Sequence, residues 1–248
     1  MNPFDVNASI GHWPFQKFDL TTPAALCRHL KKTGIRRALV SCIDSVLYPD
    51  PAVFDDILFK TAKAHPMLVP VPTVNPSLSN WRASLRRDSL AAVKIIPNYH
   101  RYNLDDPSVA ELAGILEKQK IPLLIQMRVD DERNQCPFMK VPGVETEKII
   151  RFARRFPKIP MVCLCPYFGE AIQLAQKTAN LHVDISFIET FQTLQTLLKN
   201  IPSSRVLFGS HTPFLCAESA LMKLSASKIP AKAIEDIALK NAGRIFKL

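Results

Sequence analysis

Residues 91–100 read AAVKIIPNYH. Only Lys94 interrupts the apolar run Ala91–Ile96, and Pro97 ends it. Valine and isoleucine suit a pleated strand. A short run that is apolar at both odd and even positions suits a strand covered on both faces. The stretch therefore predicts a buried parallel strand over Ala92–Pro97. Its carboxyl end leads straight into Asn98, His100 and Tyr102.

Seven further runs of this kind flank it. Phe4–Ser9, Ala38–Ile43 and Leu68–Val74 precede it; Pro122–Met127, Pro160–Cys165, Leu181–Ser186 and Arg205–Ser210 follow. Amphipathic segments alternate with the runs: Pro23–Lys32, Ala52–Ala64, Ser77–Arg87, Pro107–Lys118, Glu145–Arg155, Gly169–Thr178, Glu189–Lys199 and Ala217–Ser225, then a closing helix, Ala231–Phe246. Thr22-Pro23 and Asp106-Pro107 place a capping side chain before a first-turn proline, and Gly34 suits a helix C-terminus. Eight strand–helix alternations in 248 residues predict an α/β fold, the (β/α)8 TIM barrel, as one domain over residues 1–248. A doubly wound open sheet is the other arrangement giving this alternation. Neither GxGxxG nor a P-loop is present, and seven glycines leave little for a phosphate-cradling loop.

The formal charge of +10 could serve an anionic partner. The basic residues come in short clusters along predicted surface helices, such as Lys31-Lys32 with Arg36-Arg37 and Arg151 with Arg154-Arg155. No aromatic platform interleaves them. This is the pattern of a solvated outer face, so nucleic acid is not the expected partner. The six cysteines include no CxxC pair, and the N-terminus has neither a basic nor an apolar leader region. The expectation is a cytoplasmic chain without structural disulfides, structural zinc or membrane association.

In a (β/α)8 barrel the chemistry gathers at the carboxyl ends of the strands. Those positions hold Asn7 and Ser9 on the first strand, Lys94 with His100 and Tyr102 around the fourth, and Gln126 and Arg128 on the fifth. Cys163 and Cys165 stand on the sixth, Asp184 and Ser186 on the seventh, and His211 on the eighth. A lysine inside an apolar strand is expensive unless paired or used, which singles out Lys94. His211 can titrate near neutral pH and so act as acid or base. His12, in the first loop with Trp13 and Phe15, is expected to wall the pocket.

The stretches FDVNASIGHWPF, VKIIPNYHRY, LLIQMRVDDER, VDISFIE, VLFGSHTPF and IALKNAGRIF together resemble the amidohydrolase-related (amidohydrolase-2) branch of the metal-dependent hydrolase superfamily. The resemblance implies a barrel with one divalent metal, often zinc, held by a His-x-His pair, two further histidines and an aspartate. At the corresponding positions this chain carries Asn7 and Ser9, Gln126, Cys163 or Cys165, and His211. Neutral amides and hydroxyls are poor zinc ligands, so the expectation is a degenerate metal site and no cofactor. An atypical set of Cys165, His211 and His100 stays open.

Two functions compete. In the first, the chain is a hydrolase or carboxyl lyase acting without the usual metal on a small anionic substrate. His211, Asp184 and Lys94 are then catalytic, and Arg128, Asn7, Ser9, His100, Tyr102, Gln126, His12 and Ser186 bind substrate. Asp184 orients His211 or shares its proton, and Arg128 grips a carboxylate bidentately. In the second, the barrel has lost catalysis and binds a ligand or partner. Self-association into a homo-oligomer is compatible with either.

Overall fold

The computed structural model describes residues 2–87 and 89–247. Eight parallel strands form two sets. One holds β1 (Phe4–Ile10), β2 (Arg37–Cys42) and β3 (Leu68–Pro70). The other holds β4 (Val93–Ile95), β5 (Leu123–Gln126), β6 (Met161–Leu164), β7 (Leu181–Asp184) and β8 (Val206–Leu207). Backbone bonds join the sets at both seams. Lys94 N donates to Pro72 O and Val74 N to Lys94 O between β3 and β4. Val6 N donates to Phe208 O and Ser9 N to Thr212 O between β8 and β1.

Helices follow most strands: α1 (Pro23–Thr33), α2 (Asp55–Ala64), α3 (Pro97–His100), α4 (Pro107–Gln119), α5 (Thr146–Arg155), α6 (Phe168–Lys177), α7 (Thr193–Leu198), α8 (Ala217–Ser225), α9 (Ala231–Glu235) and α10 (Asn241–Phe246). The Thr22 hydroxyl accepts from Ala25 N at the start of α1, and Gly34 closes it at φ 78°. This left-handed conformation costs a side chain but not glycine.

Side chains sort by strand period into two layers. Leu39, Leu124, Val162, Leu164 and Leu207 pack together inside the ring. Their chain neighbours Val40, Leu123, Ile125, Met161 and Val206 pack outward, with Leu26, Leu112 and Leu174 of the helices. Each such buried leucine contributes about 2 kcal/mol relative to exposure.

Three segments differ from the sequence expectation. Ser77–Arg87 is a 3-10 turn over Trp81–Leu85 rather than a helix. Asn75 Oδ1 accepts from both Ser77 N and Ser77 Oγ, a local bond that competes with helix formation. Pro97–His100 coils into one helical turn. The closing helix is interrupted by a π-turn at Asp236–Lys240, where Ile237 O accepts from Phe208 N just beyond β8. No described helix is long and apolar enough to cross a membrane.

Candidate active site

Polar side chains meet inside the ring at the carboxyl ends of the strands, and Asp184 is their hub. Its oxygens accept from Asn7 Nδ2 at 2.9 Å, from the backbone N of Cys165 at 2.8 Å and from Ser186 Oγ at 2.9 Å. Asn7 Nδ2 and Gln126 Nε2 also donate to Cys165 Sγ, at 3.2 and 3.1 Å. Ser9 lies 3.3 Å from Ser41, and Ser41 Oγ accepts from Lys94 Nζ at 3.1 Å.

His211 closes the cluster toward the mouth. Its Nε2 stands 2.6 Å from the carbonyl of Val129. A carbonyl only accepts, so Nε2 carries the hydrogen and the neutral ring keeps its lone pair on Nδ1. That lone pair faces Asn7 Oδ1 at 3.4 Å. Burial sets the protonation states. It pulls His211 down to about 3 and Lys94 down to about 8. It pushes Asp184 up, against the hydrogen bonds it accepts. The Cys165 thiol is pushed up to about 12 by burial and by the charge of Asp184, so it is no thiolate nucleophile near neutral pH.

Two backbone positions here are left-handed without being glycine: Cys165 at φ 60° and His211 at φ 55°. Such conformations cost about 1 kcal/mol or more and gather at functional sites. Asp5 holds the second of them. It is fully buried; Oδ1 accepts from Asn7 N and Ser210 N, and Oδ2 from Ser210 Oγ. It thereby ties β1 to the turn that carries His211. Burial raises Asp5 to about 6.

Several expected site residues stand elsewhere. Arg128 is spent within the protein: it forks onto both oxygens of Glu170 at 2.8 Å, donates to Cys165 O, and lies 3.8 Å over the Tyr167 ring. Its guanidinium is not free to grip a substrate. His12 is exposed, and only its backbone N reaches inward, to Asp44. His100 bonds Ser45 O, while Tyr102 is buried among Leu104 and Val109 in the layer beneath the helices. Asp184 reaches His211 through Asn7 rather than directly. The open choice on β6 resolves by register: Cys163 packs outward and Cys165 joins the cluster.

The cluster is roofed by aromatics. Phe214 stacks on His211 at 4.8 Å, and Trp13 meets Phe214 edge-on at 5.3 Å. Beneath the roof, the void beside Lys94 and Asn7 is about 10 Å³. Above it are two cavities of substrate size. One, of about 830 Å³, is bounded by Trp13, Phe15, Tyr99, Arg101 and Lys140. The other, of about 720 Å³, reaches down to Ser186 and Phe187.

No protein-family model and no curated protein matches the chain. Solved structures do. A 2,6-dihydroxybenzoate decarboxylase in complex with 2,6-dihydroxybenzoate superposes with a TM-score of 0.80 at 15% identity, over 100% of both chains. A dihydroxybenzoic acid decarboxylase from Polaromonas sp. JS666, with bound manganese and the inhibitor 2-nitroresorcinol, gives 0.80 at 13% identity, over 100% of this chain and 98% of that one. An amidohydrolase II gives 0.72 at 13% identity over 100% of both. The chain has their fold. It is the TIM-barrel fold that the strand–helix alternation predicts.

The manganese overturns the expectation of a barrel that works with no cofactor, because a protein of this fold and length carries the ion. The donor set of this chain is a poor match for the ion. Among the described residues, no group of three or more His, Cys, Asp and Glu side chains is placed to hold a metal. Manganese favours carboxylate, carbonyl and water oxygens. The two buried carboxylates of the site, Asp184 and Asp5, are each already taken by three donors, and the Lys94 ammonium shares the surroundings of Asp184. These residues do not fit the ion, and no step below runs through one.

Proposed function

We propose that the chain is an enzyme of the hydrolase or carboxyl-lyase type, related to the amidohydrolase-2 branch, acting on a small hydroxylated carboxylic acid. One observation carries the reading: the buried cluster holds hydrogen-bonding capacity that the protein leaves unspent. Among the described residues Lys94 Nζ, with three hydrogens, makes one bond, to Ser41. His211 Nδ1 and Asn7 Oδ1 face each other as two acceptors. Gln126 Oε1 is buried with no partner among the described residues. Unmet groups of this kind cost about 1–3 kcal/mol each. A ligand with both a carboxylate and a hydroxyl would meet them, the carboxylate on Lys94 and the hydroxyl on the acceptors.

In this site the Lys94 ammonium neutralises the substrate carboxylate. His211, held as its Nε2–H tautomer by Val129 O, offers Nδ1 to the substrate proton and returns it at the reacting atom. Asn7 orients that proton path, fixed in turn by Asp184 and Ser186. The decarboxylases of this fold act on hydroxybenzoates, which are acids of the proposed kind.

The test is turnover. Purified protein is offered dihydroxybenzoates, with and without added manganese, and CO2 release is followed. Wild type is expected to turn over, and His211→Ala to fall by about 100-fold or more, the scale of a lost proton-transfer group. Equal rates in the two proteins would remove His211 from the chemistry.

A further inference from the structure

Lys94 has a capacity that binding a carboxylate does not use. We propose that its ε-nitrogen is also a nucleophile that forms an imine with small oxo acids. This builds on the preceding site but does not need hydroxybenzoates as substrates.

The geometry supplies what a lysine nucleophile requires. The backbone of Lys94 is pinned to the β3 segment through Pro72 O and Val74 N, and its ε-nitrogen is anchored on Ser41 Oγ at 3.1 Å. Among the described residues no carboxylate lies within ion-pair distance of it. Its one partner, the Ser41 hydroxyl, accepts from an ammonium or donates to a free amine equally well. No ion pair therefore locks the group in its protonated form, and the charge of Asp184 opposes its desolvation only from a distance. Apolar side chains, Val6, Leu39, Val71, Leu124 and Leu164, surround it below. Desolvation of this kind favours the neutral amine, the reactive state of catalytic lysines, and its pKa of about 8 agrees.

The step balances without a further reactant. The nitrogen lone pair forms the C–N bond while the carbonyl π pair moves to oxygen. The oxygen takes up the two nitrogen-borne hydrogens and leaves as water. The Ser41 hydroxyl, 3.1 Å from Lys94 Nζ and able both to accept and to donate, is the group placed to relay them. With a 3-oxo acid, the imine nitrogen takes up a proton from water, and the resulting iminium draws in the electron pair of the bond to the carboxylate as CO2 departs. The enamine takes a proton at carbon, and water releases the ketone and restores the amine.

The experiment is reductive trapping. Wild type, Lys94→Arg and Lys94→Met are incubated with pyruvate or acetoacetate and cyanoborohydride, then digested and mapped by mass spectrometry. The expected result is a reduced adduct on the Lys94 peptide of wild type, with no adduct at position 94 in either variant and surface lysines labelled equally in all three. Label confined to surface lysines, or no label, overturns the proposal. The wild-type map decides this even if a variant fails to fold. Hydroxybenzoate turnover without any Lys94 adduct sinks the imine and leaves the preceding reading standing. An adduct without hydroxybenzoate turnover does the reverse.

Discussion

Lys94 is costly to the folded protein. Its pKa falls from the ordinary 10.5 to about 8 in the fold. A depressed lysine destabilises the native state wherever the unfolded chain is protonated and the native one resists it. Below about pH 8 both states carry the proton and the full penalty applies, about 3 kcal/mol at 1.36 kcal/mol per pH unit. Between about pH 8 and 10.5 the native state has shed the proton that the unfolded chain keeps, so this lysine's contribution makes stability rise with pH. Lys94→Met is therefore expected to be more stable than wild type by about 2–3 kcal/mol at pH 7, with the gain fading by pH 10.5. Urea unfolding at several pH values checks this. A variant that is less stable at pH 7 would mean the lysine is paired after all. Gaining stability by deleting a group is the mark of one kept for function. Arg128 is the contrast: its Nη1 and Nη2 are spent on Glu170 and Cys165 O, and its Nε stands 3.6 Å from Glu132 Oε1.

At the scale of elements, the junction of β7 and β8 is the tightest point of the site. A Cβ on Gly209 would lie 2.5 Å from Asp184 Oδ2 and 2.9 Å from Asp184 Cβ. The second contact is close to the backbone, so rotating the carboxylate cannot relieve it. Gly209→Ala is expected to cost about 1–3 kcal/mol, as overpacking does. It should also depress turnover more than its stability loss explains, because it displaces the hub that holds Asn7. Thermal unfolding and kcat measured side by side test this; unchanged activity would show that Asp184 does not organise the site. The strands themselves were readable from sequence because burial on both faces leaves an unbroken apolar run. Lys94, Asp184 and His211 were readable because polar groups at strand ends break that pattern. Asp5 breaks it equally, between Phe4 and Val6, and the same argument would have found it. Arg128 could not be placed, because its partner Glu170 lies on another element and only the fold brings them together. Trp13 was expected at the pocket wall with its loop, but its pairing with Phe214 was hidden for the same reason: the two rings come from opposite ends of the chain.

At the scale of the whole molecule, the roof over the polar cluster governs time as well as space. Lys94 is 5% exposed and His211 2%, so a ligand in either mouth cavity cannot touch them until Phe214 and Trp13 part. Binding then has two clocks, encounter and opening, and apparent affinity is reduced by the fraction of molecules that are open. Trp13 is one of two tryptophans, and its ring contacts make its fluorescence a reporter of the roof. In stopped-flow mixing with 2,6-dihydroxybenzoate, the observed rate should climb and then level off as concentration rises, because opening becomes the slow event. A rate that stays proportional to concentration up to solubility would mean the roof stands open in solution. If it levels off, the plateau is a property of the protein alone: different acids would share the same ceiling, and smaller residues at position 214 would raise it for all of them together.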